Sequence, residues 1–157
     1  MIIAIAGKIG SGKSTLSKIL ENAGFNVVHT DNLVREFYKT KTGINYIDNL
    51  FSDVVENEVI NTQKLTDCLL KDYVKKRTLE SYMAMTLVLP IIKKHQEENT
   101  TVYIDGILPD YFKWFDQIIF IDRKLEDRKK DVIKKRGMNV ESFNMIERLQ
   151  ERYPKFL

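Results

Sequence analysis

A three-layer α/β sandwich around a parallel sheet of four to five strands is the fold class that these 157 residues predict. Three observations predict it. Short apolar runs alternate with longer amphipathic stretches from one end of the chain to the other. The first run, Ile2 to Ala6, is apolar at every position, as a strand buried on both faces requires. The second, third and fourth runs are each followed closely by an aspartate, Asp31, Asp105 or Asp122, at what would be the carboxyl edge of the sheet.

Each element has its own signal. Ile2 to Ala6 stops at Gly7, and Lys13 to Ala23 carries Leu16, Ile19 and Leu20 on one helical face before Gly24 ends it. Asn26 to His29 reads as the second strand. Asp31 is placed to cap a helix running through Leu33, Val34 and Phe37. Lys39 to Gly43 reads as a loop, with short helical pieces at Tyr46 to Leu50 and Val54 to Val59. Thr66 to Tyr73 and Thr78 to Gln96 read as helices, the second interrupted by Pro90. Thr101 to Ile104 is the third strand, Pro109 to Phe115 a short helix and Gln117 to Ile121 the fourth strand. Leu125 to Arg136 and Val140 to Arg152 are helices on either side of Gly137. Without a repeat or a linker, residues 1–157 are expected to form one domain, with 39–98 as a helical insertion and 123–138 as a lid.

Composition narrows the function. Twenty-five Lys and Arg against 22 Asp and Glu leave a charge of +3, too even to argue for a nucleic-acid partner. Cys68 is the only cysteine, which excludes an intrachain disulfide and a cysteine zinc site and leaves it as a small buried hydrophobe. His29 and His95 lack metal-ligand spacing and read as structural. Trp114, with Phe112 and Phe115, reads as core packing. No apolar stretch approaches the roughly 20 residues of a membrane span, and the apolar start is too short for a leader, so a cytoplasmic location and no membrane partner are expected.

The chemistry lies in Gly7-Lys8-Ile9-Gly10-Ser11-Gly12-Lys13-Ser14, which fits G-x-x-x-x-G-K-[ST] between a strand and a helix. This is a P-loop, and it places the chain among the P-loop NTPase folds. Its glycines let successive amides turn inward onto phosphate oxygens, and the helix beyond adds its positive end. Gly7, Ile9, Gly10, Ser11 and Gly12 supply the backbone cradle for ATP. Lys13 reaches the β- and γ-phosphates, Ser14 ligates magnesium and Thr15 bonds the α-phosphate. Asp31 accepts or orients the proton of an attacking hydroxyl. Asp105 resembles the acid that holds magnesium, directly or through water. Arg35, one turn past Asp31, is placed to hold a phosphate on the acceptor. Arg128, Arg136 and Arg148 are candidates for a lid arginine, Arg136 beside Gly137 being the best placed. The expectation is a kinase that uses ATP and magnesium on a small-molecule hydroxyl. Its rivals are a nucleoside or nucleoside monophosphate kinase and a nucleotide-binding regulatory protein without transfer.

On these residues the chain resembles the dephospho-coenzyme A kinase family. Ile9 to Thr15 is similar to the family loop. His29-Thr30-Asp31 stands at its Asp-x-Asp element, with Asp31 at the second aspartate, and Arg35 stands at its helix arginine. Phe51 to Leu69, Leu89-Pro90-Ile91-Ile92, Ile104 to Leu108 and Ile146 to Gln150 resemble further family segments. Lys8 replaces a glycine, Leu89 a histidine and Gly106 a proline. The resemblance implies a five-stranded parallel core, an acceptor-binding helical region and a lid. It also implies transfer from ATP to the ribose 3′-hydroxyl of dephospho-coenzyme A, with Asp31 as the base; Arg35 and Asp105 are expected, from their positions, to bind the acceptor.

Overall fold

The computed structural model describes residues 1–154. From the N-terminus its elements are β1 (Ile2–Ala6), α1 (Lys13–Asn22), β2 (Val27–His29), α2 (Thr30–Phe37), α3 (Lys41–Leu50), β3 (Val55–Glu56), β4 (Val59–Ile60), α4 (Thr62–Lys71) and α5 (Tyr73–Met83). A π-helical segment, Ala84–Val88, leads into α6 (Leu89–Glu97). There follow β5 (Val102–Asp105), a 3-10 helix (Pro109–Trp114), β6 (Gln117–Phe120), α7 (Leu125–Arg136) and α8 (Val140–Leu149). Two compact units divide the chain, one of residues 1–29 with 92 onward, the other of residues 30–91.

The first unit is built on a sheet of order β2-β5-β1-β6, parallel throughout. Four strands form it among the described residues, where the family resemblance implies five. Every residue of β1 is buried, because the strand pairs on both edges and is covered on both faces. Its register sets Ile5 against Asp105 on one side and Ile119 on the other, so β1, β5 and β6 end at one edge. Val102, Ile104, Ile107, Val132 and Phe143 complete the core. Trp114 does not join it. The tryptophan is half-buried on the 3-10 helix, against Tyr111 at 4.7 Å between ring centres.

The second unit has its own core of Phe37, Ile47, Phe51, Val54, Ile60, Leu65, Leu79 and Met83, with Cys68 half-buried against it. Four stretches differ from the sequence expectation, one being α5, which starts at Tyr73 and not Thr78 because Asp72 caps it through the Lys75 amide at 3.0 Å. Lys39 to Gly43 is not all loop: α3 begins at Lys41, because Thr40 Oγ1 caps it by accepting from the Gly43 amide at 3.0 Å. Asn61 likewise caps α4 through the Lys64 amide at 3.1 Å and starts that helix four residues before the expected Thr66. Val54 to Val59 is not helical. Val55 pairs with Ile60 and Glu56 with Val59 in a hairpin whose turn residues Asn57 and Glu58 sit at φ 49° and 61°. Two left-handed residues in a two-residue turn match the twist of a hairpin. The signal was faint because glutamate, rather than glycine, occupies the second place. Ahead of Pro90 the helix widens into the π segment, where the Leu89 amide reaches back to the Ala84 carbonyl.

A left-handed glutamate costs roughly 1–2 kcal/mol. Glu58→Gly is therefore expected to stabilise the protein by about 0.5–1 kcal/mol, read as a higher urea midpoint at unchanged m-value; a lower midpoint would show that the turn is not held in this conformation.

Candidate active site

The P-loop springs from the carboxyl end of β1. Gly7 and Gly10 have φ of 152° and 77°, and neither leaves room for a side chain. A Cβ on Gly7 would lie 2.4 Å from the Ile121 carbonyl oxygen, and one on Gly10 would lie 2.9 Å from that of Arg128. Gly12, at φ 106°, opens α1 without any side-chain cap. The first amides of α1 are thus not taken by a capping side chain at the helix's positive end. The Ser11 hydroxyl is buried and has no hydrogen-bond partner among the described residues. Lys13, Ser14 and Thr15 occupy the first turn of α1, Ser14 and Thr15 exposed.

The outer arc of the loop is clamped by α7 and α8. Glu147 accepts from Lys8 Nζ at 2.8 Å and from both terminal nitrogens of Arg128, at 2.8 and 3.1 Å. Arg128 also donates to the carbonyls of Ile9 at 3.1 Å and Arg123 at 3.0 Å. Gln150 accepts from the Ile9 amide at 2.7 Å, and Arg123 donates to the Gly10 carbonyl at 3.0 Å. Arg128 is 4% exposed and fully engaged, so it belongs to the loop's frame rather than to a closing lid. Burial pushes the Glu147 carboxyl up, but Arg128 and Lys8 outweigh it and hold its pKa below the usual value. Arg136 ends α7 in its exposed last turn, before Gly137 at φ 64°. Arg148 lines a groove of about 420 Å³ beside Lys8 and Arg123. Asp122 follows β6, and Lys124, the N-cap residue of α7, makes no side-chain cap bond.

Asp105 ends β5. Its Oδ2 accepts from Ser17 Oγ at 3.1 Å and lies 3.3 Å from His29 Nδ1, while its Oδ1 is buried without a partner among the described residues. Ser17 stands three residues beyond Ser14, on the same face of α1. His29 reaches Glu21 Oε1 through Nε2 at 2.8 Å. That bond, with Asp105, raises the imidazole pKa against the opposing effect of burial. His29 is therefore a bridge between two carboxylates. No spacing in the sequence signals it; the pairing of β2 with β5, which sets His29 opposite Asp105, creates it. His95 bonds Thr100 Oγ1 at 2.6 Å, a structural contact as expected.

In the second unit, Asp31 lies in the first turn of α2 and is exposed. The helix begins at Thr30, so Asp31 is inside it and is not its cap. Arg35 follows one turn later, exposed and bonded to Asn32 Oδ1 at 3.3 Å.

Comparison with known proteins places the chain in a family. The family model for dephospho-CoA kinase matches residues 1–154. The chain belongs to the dephospho-CoA kinase family. It is 30% identical over 159 aligned residues to the dephospho-CoA kinase of Bartonella quintana, covering 92% of this chain and 78% of that one. The Aquifex aeolicus dephospho-CoA kinase is 29% identical, over 90% of this chain and 76% of its own. In fold, a crystal structure from Thermus thermophilus superposes with a TM-score of 0.78 at 24% identity, over 96% of this chain and 80% of that one. The dephospho-CoA kinase of Campylobacter jejuni gives 0.54 at 16% identity, over 96% and 81%. The dephospho-CoA kinase family is one of phosphotransferases, and an ATP-cradling P-loop fits it.

Removing the Glu147 charge leaves Arg128 buried without its counter-ion, held only by the carbonyls of Ile9 and Arg123. Glu147→Gln is expected to lower the unfolding free energy by about 3 kcal/mol. Because its folded pKa is depressed, the Glu147 contribution is present in full above the ordinary carboxylate value of 4.5 and fades as pH falls through the folded value. Denaturation of wild type and variant from pH 7 to pH 3 is expected to give curves that converge at the acid end; a constant gap would remove the ion pair as its cause.

Proposed function

We propose that this chain transfers the γ-phosphate of ATP to the ribose 3′-hydroxyl of dephospho-coenzyme A, the closing step of coenzyme A synthesis. The observation that carries this reading is the glycine-opened start of α1, without a side-chain cap, in a chain that matches the family over residues 1–154. The polyphosphate sits on the amides at the glycine-opened start of α1, where helix dipole and backbone donors meet. A phosphate oxygen offsets the cost of the unpartnered Ser11 hydroxyl, about 1–3 kcal/mol when left unmet. Lys13 adds a full positive charge to the β- and γ-phosphates.

The residues also suit magnesium. Ser14 offers a hydroxyl in the first turn of α1, and Asp105 offers a buried oxygen with no other partner. No cluster of three or more acidic, His or Cys side chains exists among the described residues, so the remaining ligands come from phosphate and water. When bound, the ion draws charge from the phosphate oxygens. Ser17 and His29 hold Asp105 by one oxygen and leave the other for that duty. Asp31 accepts the proton of the acceptor hydroxyl, and Arg35 holds the acceptor's own phosphate. Arg136, at the end of α7, supplies positive charge late in transfer. None of the helices of the described residues is long and apolar enough to cross a membrane, which suits a small-molecule enzyme of the cytoplasm.

Labelled ATP offered with dephospho-coenzyme A is expected to give labelled coenzyme A, and no transfer would sink the reading. Asp31→Asn is expected to lower kcat by about 10²–10⁴-fold with ATP affinity unchanged; an unaltered kcat removes Asp31 from the chemistry. Lys13→Ala is expected to weaken ATP binding in titration calorimetry and to abolish transfer, and retained affinity would count against the loop as the phosphate site.

A further inference from the structure

Ile146 to Gln150 resembles a family segment, and no step of the proposed transfer falls on it. Its last residue closes α8 and reaches the phosphate loop. Gln150 is half-buried at the C-cap of α8, its own amide held by the carbonyls of Ile146 and Glu147 at 3.0 and 3.2 Å. Its side-chain Oε1 accepts from the Ile9 amide at 2.7 Å, across 141 residues of chain. The sequence expectation gives Ile9 a place in the ATP cradle; its amide is instead taken by Gln150. We propose that Gln150 is a positioning residue for the phosphate cradle: by keeping the Ile9 amide it sets the turn that the polyphosphate meets, and the donors of the cradle start at Gly10. The inference rests on ATP binding at the loop, as proposed above, and is independent of the acceptor.

The consequence of that bond follows from peptide geometry. In a trans peptide the carbonyl and the N–H of one unit point opposite ways, and no cis bond occurs among the described residues. With the Ile9 N–H drawn out to Gln150, the Lys8 carbonyl of the same unit faces inward. There it accepts from the Ser11 amide at 3.1 Å, which closes a turn from Lys8 to Ser11. Gly10, third in that turn, has φ 77°, the left-handed value that a type II turn requires at this place. Arg128 draws the Ile9 carbonyl outward at 3.1 Å, so the Gly10 N–H of that next unit faces the inside of the loop. Arg123 holds the Gly10 carbonyl in the same way at 3.0 Å. Three successive peptide units are thus oriented by three side chains.

Of the three, only Gln150 supplies an acceptor. The two arginines carry donors alone and cannot hold an amide. The Lys8 carbonyl, turned inward, sets a partial negative charge beside the place of the polyphosphate, and the Ser11 amide covers it. Rotation of the Lys8–Ile9 unit would open that turn and misplace the Gly10 amide and the Ser11 hydroxyl together. Glu147, three residues before Gln150 on the same face of α8, grips the Lys8 side chain at 2.8 Å, and Phe143, fully buried, seats that face in the core. The helix therefore holds two consecutive loop residues, one by its side chain and one by its main chain.

The test is titration calorimetry of ATP with magnesium on the full chain. Gln150→Met keeps the length of the side chain and removes the acceptor; it is expected to weaken ATP about tenfold and to raise the KM for ATP in step, with the KM for dephospho-coenzyme A unchanged. Gln150→Ala carries the same expectation, should the methionine not pack, and melting temperatures check the folding of each variant. Gln150→Glu keeps an oxygen at the same reach and is expected to hold ATP affinity within about threefold of wild type. Amide exchange followed by NMR reads the bond itself: slow at Ile9 in wild type and Gln150→Glu, fast in Gln150→Met. Full ATP affinity in both acceptor-free variants overturns the inference. So does an equal loss in Gln150→Glu and Gln150→Met, the mark of a structural role alone, and so does fast exchange at Ile9 in wild type. Wild type that binds no ATP sinks the loop reading along with it. The expected pattern in a protein that fails to phosphorylate dephospho-coenzyme A upholds Gln150 and overturns the proposed reaction alone.

Discussion

Parallel pairing of β1 with β5 on one edge and β6 on the other is the constraint from which the first unit follows. It buries a strand of five apolar residues completely, and burial of that kind is non-directional and large. The hydrogen-bond register then adds direction. With Ile5 opposite both Asp105 and Ile119, the loop after β1 and the acid at the end of β5 must emerge together. Phosphate cradle and carboxylate are neighbours because three strands stop at the same level.

That register also explains how charge is managed there. Asp105 is mostly buried, and a lone buried carboxylate is costly unless it is bonded. Ser17 and His29 meet one of its oxygens, and Glu21 meets the far nitrogen of the imidazole. His29 lies opposite Asp105 in the strand register and meets its carboxylate. Two acids side by side at the ends of β2 and β5 would repel; a histidine there turns the contact into an attraction.

The loop's outer arc has a separate support. Lys8 is a long, buried cation, and Glu147 pairs with it and with Arg128. Buried ion pairs rarely add much net stability, because desolvation offsets most of the Coulomb gain. Their value here is geometric. Arg128 and Arg123 fix the carbonyls of Ile9 and Gly10 on one side of the loop, so the backbone curls toward the other.

The sequence alone determined whatever is encoded in contiguous residues. The apolar run of β1, the octapeptide Gly7 to Ser14, the helix after it and the positions of Asp31, Arg35 and Asp105 all follow from local pattern, because glycine conformations, amide donors and helical periodicity act over a few residues. The hairpin at Val55 to Ile60 was illegible because glutamate, not glycine, holds its left-handed turn. The starts of α3 and α4 were missed because Thr40 and Asn61, single capping residues, decide them. Only tertiary structure could join Lys8 to Glu147, or His29 to Asp105, since those partners lie 139 and 76 residues apart and no local rule spans such distances. It also decided that Arg128 frames the loop, a matter of burial that charge alone cannot reveal.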